Sequence, residues 1–418
     1  MEMKTAPKLS FARQLRKTSL RLGHSAVTKG KQNMIIVAAL VLLAVIFWAL
    51  NPHFMDKYNI VSMAQNLAPY AVMGLGVTFV IATGGIDLSI GTVCIAAAVV
   101  AGKMFTSNLI PLWATIPVMI LIGAMFGLIN GLLVAKLKLP AFIATLGTMM
   151  VSRGLSALIV ADPNIFYPSG TWFNMTFSNL NGFPIGLIWV IGLAAVCMYL
   201  MYKCKVGRYI LSIGSNEEAT RLSGINTDKY KIIAYVIGGT AAGIAAIFWA
   251  ASFSTVASAT GNGMELDAIA GVYIGGTSAA GGIASVTGSV VGAMMLVIIR
   301  SGLNFVLARF QLNLNATYVT FVLTGIIVVL AVLLDIIKNK NAEKVKIETE
   351  AQRFKRQAKE HIAELNDKID ILTATNNPMP AAEKAQNLEA VRKELAEYKL
   401  AWKKEYAELK ANAGASRK

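Results

Sequence analysis

Residues 73–103 read MGLGVTFVIATGGIDLSIGTVCIAAAVVAGK, an apolar stretch that is interrupted at its centre by Gly84, Gly85, Asp87 and Ser89. Glycine inside a helix costs about 1 kcal/mol relative to alanine, and a carboxylate near the bilayer centre costs roughly 2.5–3.5 kcal/mol. The interruption therefore predicts a helix broken at membrane depth, with its polar groups facing protein or water. Such breaks are typical of transport pathways. A simple turn between two spans at the membrane surface remains the alternative.

The composition of the chain is that of a membrane protein. Its 418 residues are 55% hydrophobic and 15% charged, with a mean hydropathy of +0.57. Several apolar runs approach the roughly 20 residues that cross a hydrocarbon core about 30 Å thick. We predict an all-α polytopic membrane protein with about ten transmembrane helices, or eight if the glycine-broken pieces are re-entrant.

The apolar runs set the predicted spans and the loops between them. The loop 162–184 is rich in proline and asparagine and lacks Lys and Arg, so it is predicted to lie outside, whereas the basic segment 203–231 is predicted to lie inside. The spans are predicted at 34–50, 60–83, 88–105, 110–135, 141–161, 185–202, 232–253, two shorter pieces within 265–307, and 317–334.

The basic charge indicates how the chain is oriented. The net charge is +16, and residues 1–33 hold eight Lys or Arg against the single acid Glu2. We predict a cytoplasmic N-terminal segment with a weak amphipathic helix over 10–22, both termini in the cytoplasm, and a location in the plasma membrane next to anionic lipid. No basic face interleaved with aromatic residues is present, so nucleic-acid binding is not expected.

The cysteines and histidines lack the spacing of ligand or disulfide motifs. Cys94, Cys197 and Cys204 are isolated in the sequence, and three histidines are scattered along it. We therefore predict neither a disulfide framework nor a metal site.

A faint internal repeat relates the two halves of the apolar region. Shifting the sequence by about 197 residues places Gly84 and Gly85 on Gly281 and Gly282. Glycine-broken segments at corresponding positions of two halves are typical of transporters built from repeats. The second copy carries acids earlier in its sequence and has no counterpart to Asp87.

The C-terminal residues 341–418 form a charged segment of a different kind. Apolar residues recur there with helical spacing on both sides of the helix-breaking run 376–380. We predict a cytoplasmic antiparallel coiled-coil hairpin with about thirty residues per arm. Docking of a partner on this hairpin is an open alternative to simple packing of the two arms.

The inside segment 215–226, SNEEATRLSGIN, has the signals of a short capped helix. Helix is predicted to start near Ser215 or Asn216, with Glu217 and Glu218 favourable in its first turn. It is predicted to end near Gly224, because glycine accepts the left-handed conformation that closes helices. The sequence leaves open whether this helix engages a cytosolic partner or is a surface loop.

Five motifs follow one another along the chain. They are IATGGIDLSIG (81–91), KLPAFIATLG (138–147), GRYI (207–210), NEEATRLSGI (216–225) and ELDAIAGVYIGGTS (265–278). In this order they resemble motifs of the permease subunits of ribose-type ABC importers, in the wider group that includes branched-chain amino acid permeases. The resemblance covers about residues 34–337. It implies a homodimeric membrane channel that receives a monosaccharide from an extracytoplasmic binding protein and is driven by a cytosolic ATPase.

The resemblance also suggests roles for individual residues. The segment 217–224 matches the position of the helix that couples such permeases to their ATPase, which gives candidate coupling residues Glu217, Glu218, Ala219, Arg221 and Gly224. The chain lacks a G-x-x-x-x-G-K-[ST] phosphate loop. It is therefore predicted to be a transport subunit, not an enzyme, with no cofactor of its own and ATP-Mg bound by the partner.

The broken helices supply the remaining candidates. Gly84, Gly85, Asp87, Ser89, Gly281 and Gly282 are predicted to form the joint about which the halves rock, with Asp87 as a helix-start cap. Polar residues that could line the transport path are Asn66, Asn130 and Thr145. The alternative, which we favour for each of them, is a hydrogen bond between helices.

Three alternatives to a monosaccharide permease remain at this stage. One is a permease of the same family for nucleosides or amino acids. Another is a secondary transporter that uses Asp87 as an ion site. The third is a membrane-anchored scaffold that works through its C-terminal hairpin.

Overall fold

The structure is a computed structural model that describes residues 36–159, 164–257, 260–311, 316–343, 350–373 and 379–415. The chain forms two compact units, Met1–Ile337 and Lys338–Lys418. The amphipathic helix predicted over 10–22 lies outside the described residues.

Helices dominate both units. Helix α13 runs from the first unit into the second. In chain order the helices are α1 (Ile36–Leu50), α2 (Lys57–Ala82), α3 (Ile90–Thr106), α4 (Thr115–Ala135), α5 (Ala141–Ile159), α6 (Trp172–Phe177), α7 (Gly186–Tyr202), α8 (Lys205–Ser215), α9 (Glu217–Leu222), α10 (Thr227–Phe253), α11 (Met264–Ile274), α12 (Val286–Arg309), α13 (Ala316–Glu343), α14 (Glu350–Thr373) and α15 (Ala381–Ala415).

Helix α2 lies at the centre of the first unit. It packs against α3, α10, α11 and α12, and 83% of its apolar window is buried inside the protein. A helix that is apolar on every side is suited to this interior position. Residues 67–83 and 89–99 are all buried, so the apolar segments on both sides of the interruption form the core of the fold.

Small residues let α4 and α10 approach each other closely. A Cβ atom added to Gly123 would overlap the carbonyl oxygen of Gly239, and one added to Gly127 would overlap that of Tyr235. Backbone contact through small residues is a common way for helices to associate in membranes, where apolar side chains gain little by leaving lipid.

The outward faces of α4, α5 and α7 are apolar and exposed, as expected for surfaces that meet lipid. Leu121, Val151 and Ile191 are 61%, 54% and 69% exposed, respectively. Within the described residues, five helices are long and apolar enough to span a membrane, and the pair α7 and α8, bent by 65°, makes a sixth. The chain is thus an all-α polytopic membrane protein, while the number of ten spans remains a prediction.

The predicted short pieces within 265–307 differ from the observed helices. Helix α11 has 11 residues and is short as expected, but α12 has 24 residues and is a full-length span. The glycine run at 275–282 ends α11 early, since it lies wholly between the two helices.

The loop 162–184, which was predicted to lie outside, pairs with the segment that follows α10. Strand β1 (Asn164–Phe166) and strand β2 (Thr255–Ala257) form a small antiparallel sheet, and the hydroxyl of Tyr167 donates to the carbonyl oxygen of Ala98 at 2.7 Å. The sequence predicted an ordered or extended loop at 162–184 but no strand, because three-residue strands are too short to show an alternating pattern.

In the second unit, α14 and α15 pack against each other. The rings of His361 and Tyr398 contact one another, with centroids 4.4 Å apart. The helices have 24 and 35 residues instead of thirty each. The antiparallel coiled-coil arrangement stays a prediction.

Candidate coupling and translocation site

The first predicted break lies between α2, which ends at Ala82, and α3, which begins at Ile90. Gly84 has a φ of +80°, a conformation that strains residues bearing a Cβ atom. Turn hydrogen bonds join Thr83 and Gly84 to the end of α2, so the glycine pair is explained by the break between the two helices.

Asp87 stabilises this turn, although it does not cap α3. Its Oδ1 accepts hydrogen bonds from the backbone N–H of Ser89 at 2.9 Å and from the Ser89 hydroxyl at 2.6 Å. Ser89 itself occupies the N-cap position of α3, so the prediction that Asp87 is the cap is wrong. Aspartate accepts hydrogen bonds from the backbone two residues on, which is a turn-forming contact that precedes the helix.

A chain of hydrogen bonds continues from this turn into α4 and α5. The amide of Asn130 donates to the Ser89 hydroxyl at 2.8 Å, and the Thr148 hydroxyl donates to Asn130 Oδ1 at 2.6 Å. Asn130 and Thr145 are fully buried, whereas Asn66 lines a cavity. Of these predicted path residues, Asn66 is the one that lies beside open space in the structure.

We expect Asp87→Ala to lower the free energy of unfolding by about 1–3 kcal/mol, because it leaves the buried donors of Ser89 without an acceptor. Asp87→Asn keeps the Oδ1 acceptor and should preserve most stability and transport. Thermal unfolding of the purified variants and uptake assays check this. A folded Asp87→Asn variant with no transport would instead show that the carboxylate charge is required.

The second break contacts the first directly. Gly281 and Gly282 lie between α11 and α12 with φ of +83° and +75°. The N–H of Gly282 donates to the carbonyl oxygen of Ala82 at 3.0 Å, and a Cβ atom on Gly281 would lie 2.7 Å from the nitrogen of Gly84. The corresponding breaks of the two halves thus meet in one place. We call Gly84, Gly85, Gly281 and Gly282 the glycine joint.

Gly214, near the C-terminal end of α8, completes this contact. A Cβ atom on Gly214 would overlap both the carbonyl oxygen of Ala82 and the nitrogen of Gly282. Sequence reasoning missed this residue. The available signal was a glycine inside the basic segment, just before the capped helix motif, but nothing in the sequence indicated what packs against it.

Helix α9 forms at the predicted position. The side chain of Asn216 accepts a hydrogen bond from the N–H of Ala219 at 2.8 Å and so caps the helix. Gly224 follows the helix with a φ of +82°, which is the left-handed conformation expected of a glycine that ends a helix.

Side chains fix α9 to the helices on either side of it. Glu217 pairs with Arg221 at 2.9 Å and with Lys231 of α10 at 2.6 Å. The hydroxyls of Ser212 and Thr220 are 2.8 Å apart and link α9 to α8. These contacts connect α9 to α8, whose other contacts include the glycine joint.

Much of the surface of α9 is open. Glu218, Ala219 and Arg221 are exposed, and Leu222 is 85% exposed. Glu218 and Leu222 are four residues apart and share one side of the helix. Sequence reasoning did not single out Leu222, because exposure of an apolar residue at a helix end is not visible in the pattern.

A cleft of about 510 Å³ connects α9 with the glycine joint. Charged side chains of Lys138, Glu217 and Lys231 lie along one part of it, and Gly84 and Gly85 along another. Within the ranges that the structure describes, no group of His, Cys, Asp and Glu is arranged to hold a metal ion.

The contact between Glu217 and Lys231 should depend on pH. Partial burial alone would raise the pKa of Glu217, but the hydrogen bond from Lys231 and the charges of Lys231 and Arg221 outweigh it and lower the pKa below its ordinary value of 4.5. A lowered pKa in the folded state contributes stability that is present above pH 4.5 and is lost as the pH falls through the lowered value. Unfolding followed against pH should show this loss, and Glu217→Gln should abolish it.

The model of the family described as branched-chain amino acid transport system / permease component matches residues 59–332. The chain belongs to this permease family. No solved structure was found to match it.

Relatives of this permease are named as importers of sugars. It is 35% identical over 312 residues to the ribose import permease protein RbsC of Escherichia coli K12, covering 72% of this chain and 92% of that one. It is 36% identical to RbsC of Bacillus subtilis 168 (71% and 90% covered) and 33% identical to the galactose/methyl galactoside import permease protein MglC of Escherichia coli K12 (75% and 96%). The chain is thus a transport subunit rather than an enzyme.

Proposed function

We propose that this permease is the membrane subunit of an ATP-driven ABC importer for a monosaccharide delivered by an extracytoplasmic binding protein. The observation that carries the proposal is the similarity to ribose import permeases over 92% of their length. The chain is also 30% identical to a permease named for D-allose, which is another monosaccharide. Ribose, galactose and allose are neutral polyols, so the cargo we propose is a neutral sugar.

The ATPase contact is assigned to α9. Its exposed residues Glu218, Ala219 and Arg221 face the partner, while Glu217 and Gly224 hold the helix in shape. The chain lacks a phosphate loop, so ATP-Mg binds to the separate ATPase and this subunit needs no cofactor.

The glycine joint is assigned the mechanical step. Closure of the ATPase would press on α9, and the contact of Gly214 with Ala82 and Gly282 would carry that motion to both breaks at once. The helices α2 and α3 would then rock against α11 and α12. Asp87 and Ser89 keep the first break in shape during this motion, as their hydrogen bonds indicate.

The assembly follows from the same proposal. Two copies of the permease form the channel, with one ATPase contact each and both termini in the cytoplasm of a plasma membrane. The proposed domains are the basic segment 1–33, the permease domain 34–337, and the cytoplasmic coiled-coil hairpin 341–418.

The competing interpretations receive less support. An ion site at Asp87 is disfavoured because the carboxylate is only 1% exposed and its Oδ1 is engaged by Ser89. Cargo such as an amino acid would suit the family description, but the RbsC, MglC and AlsC relatives, at 30–36% identity, are named for sugars.

The test is uptake by the purified complex in proteoliposomes, with its ATPase and the binding protein that co-purifies with it. Radiolabelled D-ribose, D-galactose and D-allose are compared with L-leucine. We expect ATP-dependent accumulation of at least one sugar and none of leucine. Accumulation of leucine alone, or sugar uptake without ATP, would refute the proposal.

A further inference from the structure

An arginine on α12 connects three helices away from the glycine joint. Arg300 donates from Nη2 to Asp267 Oδ2 of α11 at 2.5 Å and from Nη1 to the hydroxyl of Tyr70 of α2 at 2.7 Å. Asp267 is 6% exposed and also accepts from the Thr324 hydroxyl at 3.4 Å. The charge of the guanidinium is thus neutralised by a buried carboxylate.

Arg300 retains hydrogen-bonding capacity beyond these contacts. A guanidinium has five N–H donors, and two of them account for the contacts with Asp267 and Tyr70. Its central carbon lies 5.2 Å from the centroid of the Tyr70 ring, which holds the group in one orientation. The charge of Arg300 is neutralised, and further N–H groups of its fixed guanidinium can still donate. Such a site suits an uncharged polar ligand better than an ion.

Two cavities meet at this arginine. They have volumes of about 180 and 240 Å³, and Tyr70, Arg300 and Asn304 line both of them. Asn66 belongs to the first cavity, and Trp249 to the second. Each is smaller than the roughly 300–1,000 Å³ of pockets that hold drug-sized ligands.

The chemistry of the lining is that of a polyol site. Amide side chains and a guanidinium offer paired donors and acceptors to hydroxyl groups, and aromatic rings offer apolar faces to C–H groups. The indole nitrogen of Trp249 is buried and has no hydrogen-bond partner in the part of the chain that the structure describes. A bound hydroxyl could satisfy such a donor, which otherwise carries a desolvation cost.

The cavities lie at the end of α2 that is remote from the coupling helix. Asn66 and Ala82 are 16 residues apart on α2, which corresponds to about 24 Å along the helix. This distance is close to the thickness of the hydrocarbon core. Because α9 and the glycine joint lie beyond Ala82, the cavities are on the side from which imported cargo arrives.

We propose that the paired cavities around Tyr70, Arg300 and Asn304 form an outer binding site for the monosaccharide, where its hydroxyl groups exchange hydrogen bonds with the Arg300 guanidinium and the amides of Asn66 and Asn304. This inference rests on the proposed function and adds the place where cargo contacts the permease after leaving the binding protein. Asp267 and Tyr70 position Arg300 in this site.

The test uses Asn304→Leu, which removes the amide at similar size, in the complete complex in proteoliposomes. Ala308→Leu is the matched control, since Ala308 is exposed one turn further along α12 and lines neither cavity. We expect Asn304→Leu to lower D-ribose uptake about tenfold, while ATP hydrolysis changes by less than about twofold. Ala308→Leu should leave both rates unchanged.

Uptake and hydrolysis that fall together would indicate a structural role and overturn the inference, as would unchanged uptake. A wild-type complex that imports none of D-ribose, D-galactose and D-allose would overturn the proposed function, and the inference with it. A sugar-importing wild type with an unaffected Asn304→Leu variant would overturn the inference alone.

A second measurement does not depend on turnover. Asn304→Cys and Ala308→Cys, each in a chain without Cys94, Cys197 and Cys204, are reacted with a methanethiosulfonate reagent. D-ribose should slow the reaction at position 304 and leave that at 308 unchanged. Equal rates with and without sugar at position 304 would count against the site.

Discussion

Glu218→Lys is expected to leave the permease folded in the membrane and to lower ATP-driven sugar uptake by about ten- to a hundredfold. Glu218 is exposed on α9, and none of the described residues forms an ion pair with it. Reversing its charge therefore breaks no ion pair among the described residues and costs only the roughly 0.3–1 kcal/mol that an acid contributes in the first turn of a helix. Like charges brought together at an interface cost several kcal/mol. ATP hydrolysis by the complex should continue without matched uptake, because the motion of the ATPase no longer reaches the permease.

The control for this variant is Glu405→Lys in α15, which is the same charge reversal at another exposed glutamate. It should leave both rates near those of the wild type. Both rates are measured in the same proteoliposomes, and the amount of each variant is compared by immunoblotting. Normal uptake by a well-expressed Glu218→Lys variant would show that this face of α9 does not carry the coupling contact.

Gly214→Ala is expected to abolish coupled transport. The added methyl group would overlap the Ala82 carbonyl oxygen and the Gly282 nitrogen, both of which are backbone atoms of the two breaks. Overpacking of this kind costs typically 1–3 kcal/mol, and it would push α8 away from the glycine joint. We expect uptake to fall at least about tenfold, with the sugar-independent hydrolysis of the ATPase largely kept.

Gly154→Ala provides the matched control, because a Cβ atom at Gly154 has nothing within 4 Å in this chain. It should raise helix propensity slightly and leave uptake intact. Both variants are compared by uptake and by thermal unfolding. If Gly214→Ala transports normally, α8 does not transmit motion to the joint through this contact.

Much of the site follows from local sequence signals. Gly84 and Asp87 inside an apolar stretch are costly unless the helix is broken, so the turn between α2 and α3 could be predicted. The cap at Asn216 and the end at Gly224 depend on residues a few positions apart, and α9 forms where those signals place it. The family resemblance added the coupling role, which composition and spacing alone left open.

The remaining features depend on contacts between residues that are far apart in sequence. The internal repeat aligns Gly281 with Gly84 in the sequence, but only the folded chain shows that the two breaks touch each other. Gly214 is an unremarkable helix residue until α8 packs against Ala82. In the same way, Arg300 and Tyr70 are 230 positions apart, so no local pattern could predict the cavities that they share.

The cap assigned to Asp87 failed for a related reason. An aspartate just before an apolar helix suits both an N-cap and a turn that precedes one, and the two differ by only two residues. The N–H and the hydroxyl of Ser89 both donate to the same oxygen of Asp87, so Asp87 lies in the turn and Ser89 occupies the cap position. The observed hydrogen bonds were needed to decide between an N-cap and a turn that precedes the helix.

We propose above that the exposed residues of α9 meet the ATPase at the cytoplasmic surface. The most direct measurement is photo-crosslinking from benzoylphenylalanine placed at Leu222, which is 85% exposed, in the intact complex in membranes. We expect one major adduct, whose partner is identified by mass spectrometry as the ATPase. An adduct with the extracytoplasmic binding protein, or labelling of lipid with no ATPase adduct, would contradict it.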